Sequence, residues 1–563
     1  MRHQLAAMCI TLCSGAATAD AQATFRAAPD LILTGGKIFT SDSTRPWAEA
    51  LGIRGDRIVA VGSTDEVRRL RGRSTREIAL AGRVVTPGFN DAHDHVGATH
   101  YGAAFATSTS PTPEPTLAVV LDSLRALAPR TPAGTWLHSV VGLHVLEDPT
   151  TSRAVLDDAA PHHPVLLWTW TGHGLMLNSA ALRALGIAET VRDPLGGTYE
   201  RDASGRLTGV LQDYAEWAVL RRLYSALPRR ALVEYFRQYA TEVACLGITS
   251  VQDMNGYLDP PTTVRVLRDA RLPIRFRVIP YPMTDVSGLR GAEWRGVEAH
   301  PSPLTVVSGV KWILDGTPLD RNALMRAPYA DRAGWYGRLQ FPVDTVRAIL
   351  AHAIATREPL HLHITGDSSV RIVFSMMQAL APDSTWRALR VRIEHGDGVS
   401  GDLLPIARRL GVVVVQNPTH FAFEPGMLER RFGGRPAGFQ AVRSLVDAGV
   451  PLAFGSDGPF NPFLNLMFAT TRPNDPTEAL TREQAVRAYT KGSAYAEFAE
   501  RDKGTLVVGM LADIAVLSQD IFTVPAQALP ATTSVLTIVG GRIIHDALTR
   551  PRAPIGQCAS HRD

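Results

Sequence analysis

Short apolar segments alternate with helical stretches from residue 83 to residue 458 of this 563-residue chain. Such alternation is typical of a parallel α/β protein, because parallel neighbours need a crossover, usually a helix. Nine segments fit the strand pattern: "RVVTPGF", "PVLLWTW", "GITSVQD", "IRFRVIP", "VKWILDG", "PLHLHITG", "VRIEHGD", "GVVVVQN" and "PLAFGSDG". A (β/α)₈ TIM-type barrel has eight strands, so we expect one early segment to lie in an insertion near residues 100–245, where the spacing is irregular.

Both ends of the chain have short alternating strands separated by Gly-Gly and Gly-Asp turns. Near the N-terminus this pattern covers "DLILTGGKIFTSD" and "EALGIRGDRIVAVGS", and it returns in "KGTLVVGMLADIAVLS" and "SVLTIVGGRIIHD". We therefore predict a small β-sandwich domain formed by both termini, residues 30–85 and 501–546. The α/β barrel is predicted between them, at residues 86–500.

The N-terminal segment "MRHQLAAMCITLCSGAATADAQA" has the three regions of a secretory signal in order. A basic residue, Arg2, precedes an apolar stretch, and Ala19-Asp20-Ala21 fits the cleavage pattern. The apolar stretch is too short to span a bilayer. We predict a signal peptide at residues 1–21 and export to the periplasm or medium; a frayed cytosolic tail is the alternative.

Composition excludes several classes of protein. The net charge of +4 is small for this length and no basic block stands out, so a nucleic-acid partner and a membrane span are not expected. Of the four cysteines, Cys9 and Cys13 fall in the predicted signal. Cys245 and Cys558 are too few for a disulfide framework or a Cys-type zinc site. We expect Cys245 to be buried as a small apolar residue.

Residues that can bind metal follow five of the predicted strands. His93 and His95 lie one residue apart after "RVVTPGF", and strand alternation points both to one face. Asp91 is placed to orient one ring from outside the ligand set. The later strand ends carry Lys311, His361, His363, His395 and Asp457. Each has an ordinary explanation alone, but in a (β/α)₈ barrel these ends converge on one rim, so together they predict a metal site.

Ten motifs resemble one known family in order. They are "TPGFNDAHDH", "GHGLMLNSAAL", "GITSVQD", "VKWILDGT", "HLHITGD", "RIEHGD", "VQNPTH", "RSLVDAGVPLAFGSDGP", "TREQAVRAYTKGSAYAEF" and "KGTLVVGMLADIAVL". The chain resembles the amidohydrolase superfamily, and within it the amidohydrolase-3 or YtcJ-like group of metal-dependent hydrolases. The resemblance runs from about Asp30 to about Asp546 and implies a metal-bearing barrel with a β-sandwich.

The resemblance also implies a ligand set for one or two divalent ions. Its metal roles map onto His93, His95, His363, His395, Asp457 and a carboxylated Lys311. Imidazole and carboxylate ligands suit Zn²⁺ first, while Mn²⁺, Fe²⁺ and Ni²⁺ stay open by the same chemistry.

The expected reaction is hydrolysis of an amide or related non-peptide C–N bond by a metal-activated hydroxide. Asp457 is the candidate for proton transfer; a helix N-cap for the segment after Pro462 is its alternative role. His173 and His420 are candidates to polarise the carbonyl or hold the substrate, with ordinary packing at the rim equally open.

The substrate is predicted to be a small molecule. Aromatic residues in "LLWTWTGHG" and "DYAEW", together with Trp312, favour an apolar or aromatic substituent. Two alternatives stay open: an esterase, lactonase or cyclic-imide hydrolase on the same site, and a non-catalytic extracytoplasmic binding or regulatory protein. Sequence does not define the oligomeric state; a homodimer is one option.

Overall fold

The computed structural model describes residues 28–97, 102–105, 114–422, 426–434 and 438–549. It has the predicted mixed α/β character, with strands and helices numbered here along the chain as β1–β27 and α1–α17. The predicted signal peptide at residues 1–21 lies outside the described residues.

Two parallel sheets carry the strand ends singled out above. The first has the order β19-β16-β15-β8, with β8 Phe89–Asp94, β15 Ile248–Asn255, β16 Arg275–Pro280 and β19 Thr305–Val307. The second has the order β20-β21-β22-β23-β24, with β20 Val310–Ile313, β21 Leu360–Ile364, β22 Arg392–His395, β23 Val413–Gln416 and β24 Leu452–Phe454. Their side chains are almost all buried, as the near-continuous apolar runs of parallel strands require.

The two parallel sheets lie next to each other at both edges. At one edge the Asp457 N–H, just after β24, donates to the carbonyl of His93 in β8 at 2.9 Å. At the other edge, β19 and β20 are separated by only two residues. The first of these, Ser308, donates its N–H to the Val278 carbonyl of β16 at 3.0 Å.

A six-stranded sheet accounts for the ninth strand-like segment. Its order is β13-β14-β12-β11-β10-β9, with β9 Ala103–Ala104, β10 Leu137–Val141, β11 Val165–Thr169, β12 Leu175–Leu177, β13 Gly197–Arg201 and β14 Leu207–Asp213. The segment "PVLLWTW" forms β11 here, where it pairs with β10 and β12 and not with either parallel sheet.

Two further sheets are formed by strands near the ends of the chain, and the second of them combines strands from both ends. One has the order β5-β4-β1-β6, with β1 Leu31–Thr34, β4 Ala50–Arg54, β5 Arg57–Gly62 and β6 Arg76–Ala79. The other has the order β27-β26-β25-β7-β2-β3, with β2 Lys37–Phe39, β3 Trp47–Ala48, β7 Val84–Pro87, β25 Ile514–Leu517, β26 Ser534–Val539 and β27 Arg542–Asp546. A two-stranded ribbon, β17 Thr284–Asp285 and β18 Gly288–Leu289, stands apart.

Pairing of β7 with β25 joins the N-terminal and C-terminal segments in one sheet. One apolar cluster contains Leu33 and Ile53 from the four-stranded sheet and Ile38, Ile514 and Leu536 from the six-stranded one.

The segment "RVVTPGF" contributes to two strands, because β7 belongs to the six-stranded terminal sheet and β8 to the parallel sheet. Gly88 separates them, and a Cβ there would lie 2.2 Å from the Thr249 side chain.

Most helices connect the strands. They are α1 Thr64–Arg68, α2 Leu117–Leu127, α3 Leu143–Glu147, α4 Arg153–Ala159, α5 Ser179–Ala184, α6 Tyr214–Ser225, α7 Arg229–Cys245, α8 Pro260–Ala270, α9 Val343–Thr356, α10 Asp367–Leu380, α11 Asp383–Leu389, α12 Leu404–Leu410, α13 Met427–Phe432, α14 Val442–Asp447, α15 Pro462–Thr471, α16 Arg482–Arg487 and α17 Ser493–Ala496. Helix α8 is an example of a helix start set by local sequence. The Asp259 side chain accepts a hydrogen bond from the Thr262 N–H, and prolines occupy the first turn.

Among the described residues, no helix combines the length and apolar character needed to cross a bilayer. Cys245, at the end of α7, is buried as expected, and it is also disulfide-bonded. The other cysteines of the chain, Cys9, Cys13 and Cys558, lie outside the described residues.

Candidate metal centre

His93 and His95 meet Lys311 and Asp457 at the junction of the two parallel sheets. The Lys311 Nζ lies 3.0 Å from His93 Nε2 and 3.3 Å from His95 Nε2. The Asp457 Oδ1 is 3.5 Å from each of the same two nitrogens. Four residues from three separate segments of the sequence therefore direct their polar atoms to one point.

Asp457 reaches this point because β24 approaches β8 very closely. A Cβ on Gly455 would lie 2.3 Å from the His93 backbone nitrogen, so only glycine fits there. Asp457 itself has φ +44°, a left-handed conformation that a non-glycine residue seldom adopts outside functional or turn positions. The N-cap of α15 is the Asn461 side chain, which accepts from two backbone N–H groups. The alternative role of Asp457 as that cap is therefore wrong.

Two more histidines lie near the other carboxylate oxygen of Asp457, and a third packs against one of them. Its Oδ2 lies 3.7 Å from His395 Nδ1 and 3.8 Å from His420 Nε2. The ring of His363 packs at 4.3 Å, centroid to centroid, against that of His395. His363 is 4% exposed, and its Nε2 has no hydrogen-bond partner among the described residues. A buried ring nitrogen of this kind needs a ligand to compensate for lost hydration.

Glu394 is the residue that orients His93, and the sequence analysis did not single it out. It is fully buried, and its Oε2 accepts from His93 Nδ1 at 2.7 Å. Its Oε1 accepts from His361 Nδ1 at 3.1 Å and from Arg392 Nε at 2.8 Å. His361 therefore lies behind the site, bound to Glu394. A carboxylate inside the apolar strand "VRIEHGD" was the signal available.

Asp91 does not orient an imidazole, contrary to the hypothesis from its position. Its Oδ1 accepts from the backbone N–H groups of His93 and Ser456, and its Oδ2 accepts from the Tyr489 hydroxyl. Burial, together with nearby Asp94, raises the pKa of Asp91 to about 8. Asp91 therefore ties β8 to β24 through the backbone.

His173 lies on the far side of His363 and is held by a partner that the sequence did not reveal. Its ring packs at 5.2 Å from the His363 ring, and its Nδ1 donates to Asp213 Oδ1 at 2.8 Å. Asp213 ends β14 with φ +53° and also accepts from Gln340 Nε2 at 2.5 Å. With Nδ1 bound in this way, the Nε2 atom is left for the site.

Some of the aromatic residues expected near the substrate lie beside the site, and others lie in the core. Trp217 lies 5.7 Å from the His173 ring, and Trp168 packs against Tyr257, which in turn packs against His95. Trp312, by contrast, is 5% exposed and packs against Phe341.

The pKa shifts of these groups favour neutral imidazoles and an ionised carboxylate. Burial, with Lys311 next, lowers the pKa of His93 and His95, while burial and neighbouring histidines lower those of His363 and His395. Burial also lowers the pKa of Lys311, to about 8. For Asp457 burial acts to raise the pKa, but the surrounding histidines hold it well below its usual range.

The donor set fits a divalent cation. One ligand atom each from His93, His95 and Asp457 lie within 4.8 Å of one another, and the same holds for His395, His420 and Asp457. Neutral imidazoles and an ionised carboxylate are the ligands that zinc and related metals take. His420, predicted as a substrate contact, thus lies in the same cluster as two predicted metal ligands, His395 and Asp457. His363 is outside these two clusters and contacts the ring of His395.

Comparison with known proteins gives one consistent family. The sequence profile of the "Amidohydrolase family" matches residues 76–545. The "Putative amidohydrolase YtcJ" of Bacillus subtilis is 26% identical over 538 residues, 91% of this chain and 98% of that protein. The "N-substituted formamide deformylase" of Arthrobacter pascens is 26% identical over 530 residues, covering 87% and 94%. A metal-dependent hydrolase from Pyrococcus furiosus shares the fold, with a TM-score of 0.67, 23% identity and coverage of 88% and 100%.

Proposed function

Because the chain belongs to the amidohydrolase family, and is thus a hydrolase acting on C–N bonds, we propose that it cleaves a non-peptide amide by metal-dependent attack of water. The observation that carries this proposal is the convergence of His93, His95 and Asp457 on one point, with Lys311 3.0 Å from His93. Such a group has no evident structural purpose, since hydrophobic side chains would fill the same space at lower cost.

A bound divalent cation supplies two things here: it lowers the pKa of water towards about 7, and it polarises a carbonyl. The chain's own residues supply the proton transfers. Asp457, held ionised by four histidines, accepts a proton from the attacking water and returns it to the departing amine. His173 Nε2 donates a hydrogen bond to the carbonyl oxygen as negative charge develops there. His420, whose Nε2 lies 3.2 Å from the Asp457 carbonyl oxygen, holds the substrate beside it.

We further propose Zn²⁺ as the metal, one or two ions per chain, with Lys311 carboxylated. An ammonium group repels cations, and the Lys311 Nζ points at two metal-ligand nitrogens. Burial favours a neutral amine, which is the form that reacts with carbon dioxide.

The test of Lys311 is metal content in Lys311→Ala. A content of two ions per chain in the wild type that falls to one or none in the variant supports carboxylated Lys311 as a metal ligand. A fully loaded and fully active alanine variant contradicts it.

The architecture proposed with this function is a closed (β/α)₈ barrel with a β-sandwich at its side. Counting β19 and β20 as one interrupted strand gives eight in the two parallel sheets, and hydrogen bonds at both edges support closure. The apolar cluster between the two terminal sheets supports the sandwich. In such a barrel the strand ends form the catalytic rim.

For the substrate we propose a small amide with an apolar or aromatic substituent on nitrogen, such as an N-substituted formamide. The name of the Arthrobacter relative and the aromatic rings beside His95 and His173 support this class. Esters, lactones and cyclic imides are the competing substrates, and a binding or regulatory role without turnover is the competing function.

One experiment separates these functions: metal analysis of the purified protein with a panel of N-benzylformamide, matched benzyl esters and cyclic imides. We expect amide turnover that is lost on chelation and restored by Zn²⁺. Turnover of esters alone would favour the esterase. A folded, metal-loaded protein that is inactive on the whole panel would favour the binding role.

We also propose export, with cleavage after Ala21. The ordered basic, apolar and small-residue regions support it. Amino-terminal sequencing of protein from cell fractions tests this; a cytosolic product that still begins at Met1 contradicts it.

A further inference from the structure

We propose that a cleft between α7 and α8 binds the phosphate group of a small soluble molecule, at a site separate from the metal centre. The proposal does not depend on the proposed function, because no residue that lines the cleft belongs to the metal centre. Two observations carry it: the lining concentrates positive charge, and two of its arginines have no carboxylate partner among the described residues.

The cleft has a volume of about 610 Å³. That volume lies in the range of about 300–1,000 Å³ that is typical of small-molecule sites. Its charged lining residues come from α7 and from the end of α8, and they are Arg229, Arg230, Arg237, Arg268, Asp269 and Arg271. Five arginines and one aspartate give the lining a formal charge of +4, as large as the net charge of the whole chain. The positive charge of the protein is therefore concentrated at this cleft.

Three of these arginines have partners within the protein. Arg229 forms an ion pair with Asp269 across the cleft. Arg268 forms one with Glu298, which lies outside the lining and reduces the formal charge of the cleft to +3. Arg237 donates to two backbone carbonyl groups at the end of α8, at 2.9 and 3.2 Å. These contacts fix the two helices relative to each other and leave most of the charge uncompensated.

Arg230 and Arg271 lie one on each side of the cleft. In the described part of the chain, neither forms an ion pair. The position of Arg230 is also unfavourable for its own helix, because the first turn of α7 has no acidic residue and no side-chain cap. Cations are disfavoured at a helix N-terminus, where the free backbone N–H groups carry partial positive charge. An anion in the cleft would offset both effects.

The residue type and the charge of the cleft favour phosphate over a carboxylate. A guanidinium presents five N–H donors in a planar fork and can bind two oxygens of one phosphate group at once. A phosphate monoester carries a charge of about −1.5 to −2 and three acceptor oxygens, more than a carboxylate offers. The cleft has room for further atoms of the ligand, and the buried side chain of Val233 gives them an apolar surface.

The surface around the cleft favours a soluble ligand over a bilayer. Helices that lie on membranes combine basic residues with exposed large apolar side chains. Within the described ranges, none of the exposed large hydrophobic residues lines the cleft. The site therefore suits the phosphate group of a small molecule.

The experiment measures binding directly by calorimetry on the purified, metal-loaded protein at pH 8 and constant ionic strength. The probe is phenylphosphonate, which presents the three oxygens of a phosphate group and is not hydrolysed; benzoate is the carboxylate of similar size. The cleft variant combines Arg230→Gln with Arg271→Gln. The matched control combines Arg183→Gln with Arg347→Gln, which removes two exposed arginines outside the cleft.

We expect the wild type to bind phenylphosphonate at least fivefold more tightly than benzoate. Affinity for phenylphosphonate should fall about tenfold or more in the cleft variant, in line with the loss of charge-assisted hydrogen bonds, and stay within about twofold in the control. Absence of binding by the wild type overturns the proposal, and equal affinity for benzoate overturns the choice of phosphate.

Two further outcomes also contradict the assignment. Equal losses in the cleft variant and in the control would mean that only the overall charge of the protein matters. Binding that survives in the cleft variant but is lost on chelation would mean that the probe binds the metal.

Flotation with phosphatidylglycerol vesicles tests a lipid headgroup as the source of the phosphate, with phosphatidylcholine vesicles as the neutral control. We expect the protein to bind neither. Binding to the phosphatidylglycerol vesicles that is lost in the cleft variant would overturn the assignment of a soluble ligand.

Discussion

Two histidine environments lie side by side in this molecule, one with neutral rings and the other with a charged ring. The rings of His93, His95, His363 and His395 lie close to one another and to Lys311, and desolvation with these neighbours lowers their pKa values. His173 packs at 5.2 Å from His363, yet its hydrogen bond to Asp213 raises its pKa to about 9 against the effect of burial.

The difference shows that partners and not burial alone set the role of an imidazole. Neutral rings in the first environment offer lone pairs, which is what a cation requires. The charged ring in the second offers a proton, which is what a developing oxyanion requires. Neighbouring positions thus supply a ligand and a hydrogen-bond donor from the same residue type.

The largest expected effect comes from removing the carboxylate of the first environment. Asp457→Asn keeps the shape of the side chain but removes the proton acceptor, so kcat should fall by about a hundredfold or more. Steady-state kinetics on the best amide of the panel, with metal content and circular dichroism, measures this. Near-normal kcat in a folded, metal-loaded Asn variant would show that Asp457 is not the proton acceptor.

Asn461→Ala is the matched control for Asp457→Asn. It removes the side-chain cap of α15, four residues further along, and should cost about 1 kcal/mol of folding free energy. Turnover per folded molecule should be unchanged. An equal loss of kcat in both variants would mean that the loop geometry, and not the carboxylate, is responsible.

The second expected effect is on the pH dependence of stability. The pKa of His173 is about 9 in the folded chain, above the 6.5 of the free side chain. Its stabilising contribution, about 3 kcal/mol, is therefore fully present below pH 6.5 and is lost as pH rises through 9. Urea unfolding of the metal-free protein at pH 6 and pH 9.5 measures the loss.

Asp213→Asn isolates that contribution from other groups that titrate in the same range. Without the carboxylate His173 loses its main partner, and the difference in unfolding free energy between the two pH values should shrink by most of those 3 kcal/mol. Identical pH dependence of stability in the wild type and the variant would mean that Asp213 does not raise the pKa of His173.

The smallest of these effects concerns the orientation of a ligand in the first environment. Glu394→Gln weakens the acceptor that fixes His93 Nδ1, so zinc affinity should fall by about tenfold to a hundredfold. Competition with a chromophoric chelator measures it.

Asp91→Asn is the comparison variant for Glu394→Gln. Asp91 meets His93 only through its backbone N–H, and its raised pKa leaves it protonated near neutral pH. We expect zinc affinity within about threefold of the wild type, a much smaller change than loss of a ligand-orienting partner. A larger loss in Asp91→Asn than in Glu394→Gln would reverse the assignment of the orienting carboxylate.

Much of this arrangement could be predicted from sequence because it depends on local periodicity. Short apolar runs with polar residues at or after their ends predicted parallel strands with functional groups at their ends. Most strands of the two parallel sheets lie within these runs, but β8 and β15 extend past the ends of theirs and β19 lies outside all of them. One of the nine segments was also expected to lie outside the main set of parallel strands, and "PVLLWTW" pairs with β10 and β12 and not with either parallel sheet.

Other features depended on contacts between residues far apart in the chain. Glu394 and Asp213 are single carboxylates in apolar surroundings, and nothing in their sequence neighbourhoods names the histidine that each one binds, 301 and 40 residues away. Glu216 is a further example, because its sequence neighbours place it on a helix but do not show that one of its oxygens has no partner among the described residues.

Sequence by itself determined which residue types stand at the strand ends, because backbone alternation and strand length are local properties. Tertiary structure decided the charge and role of each one. A pKa depends on desolvation and on the groups within a few ångströms, and these are brought together only when the sheets meet. His173 and His363 differ for this reason: the same side chain is a neutral candidate ligand in one place and a charged hydrogen-bond donor 5.2 Å away.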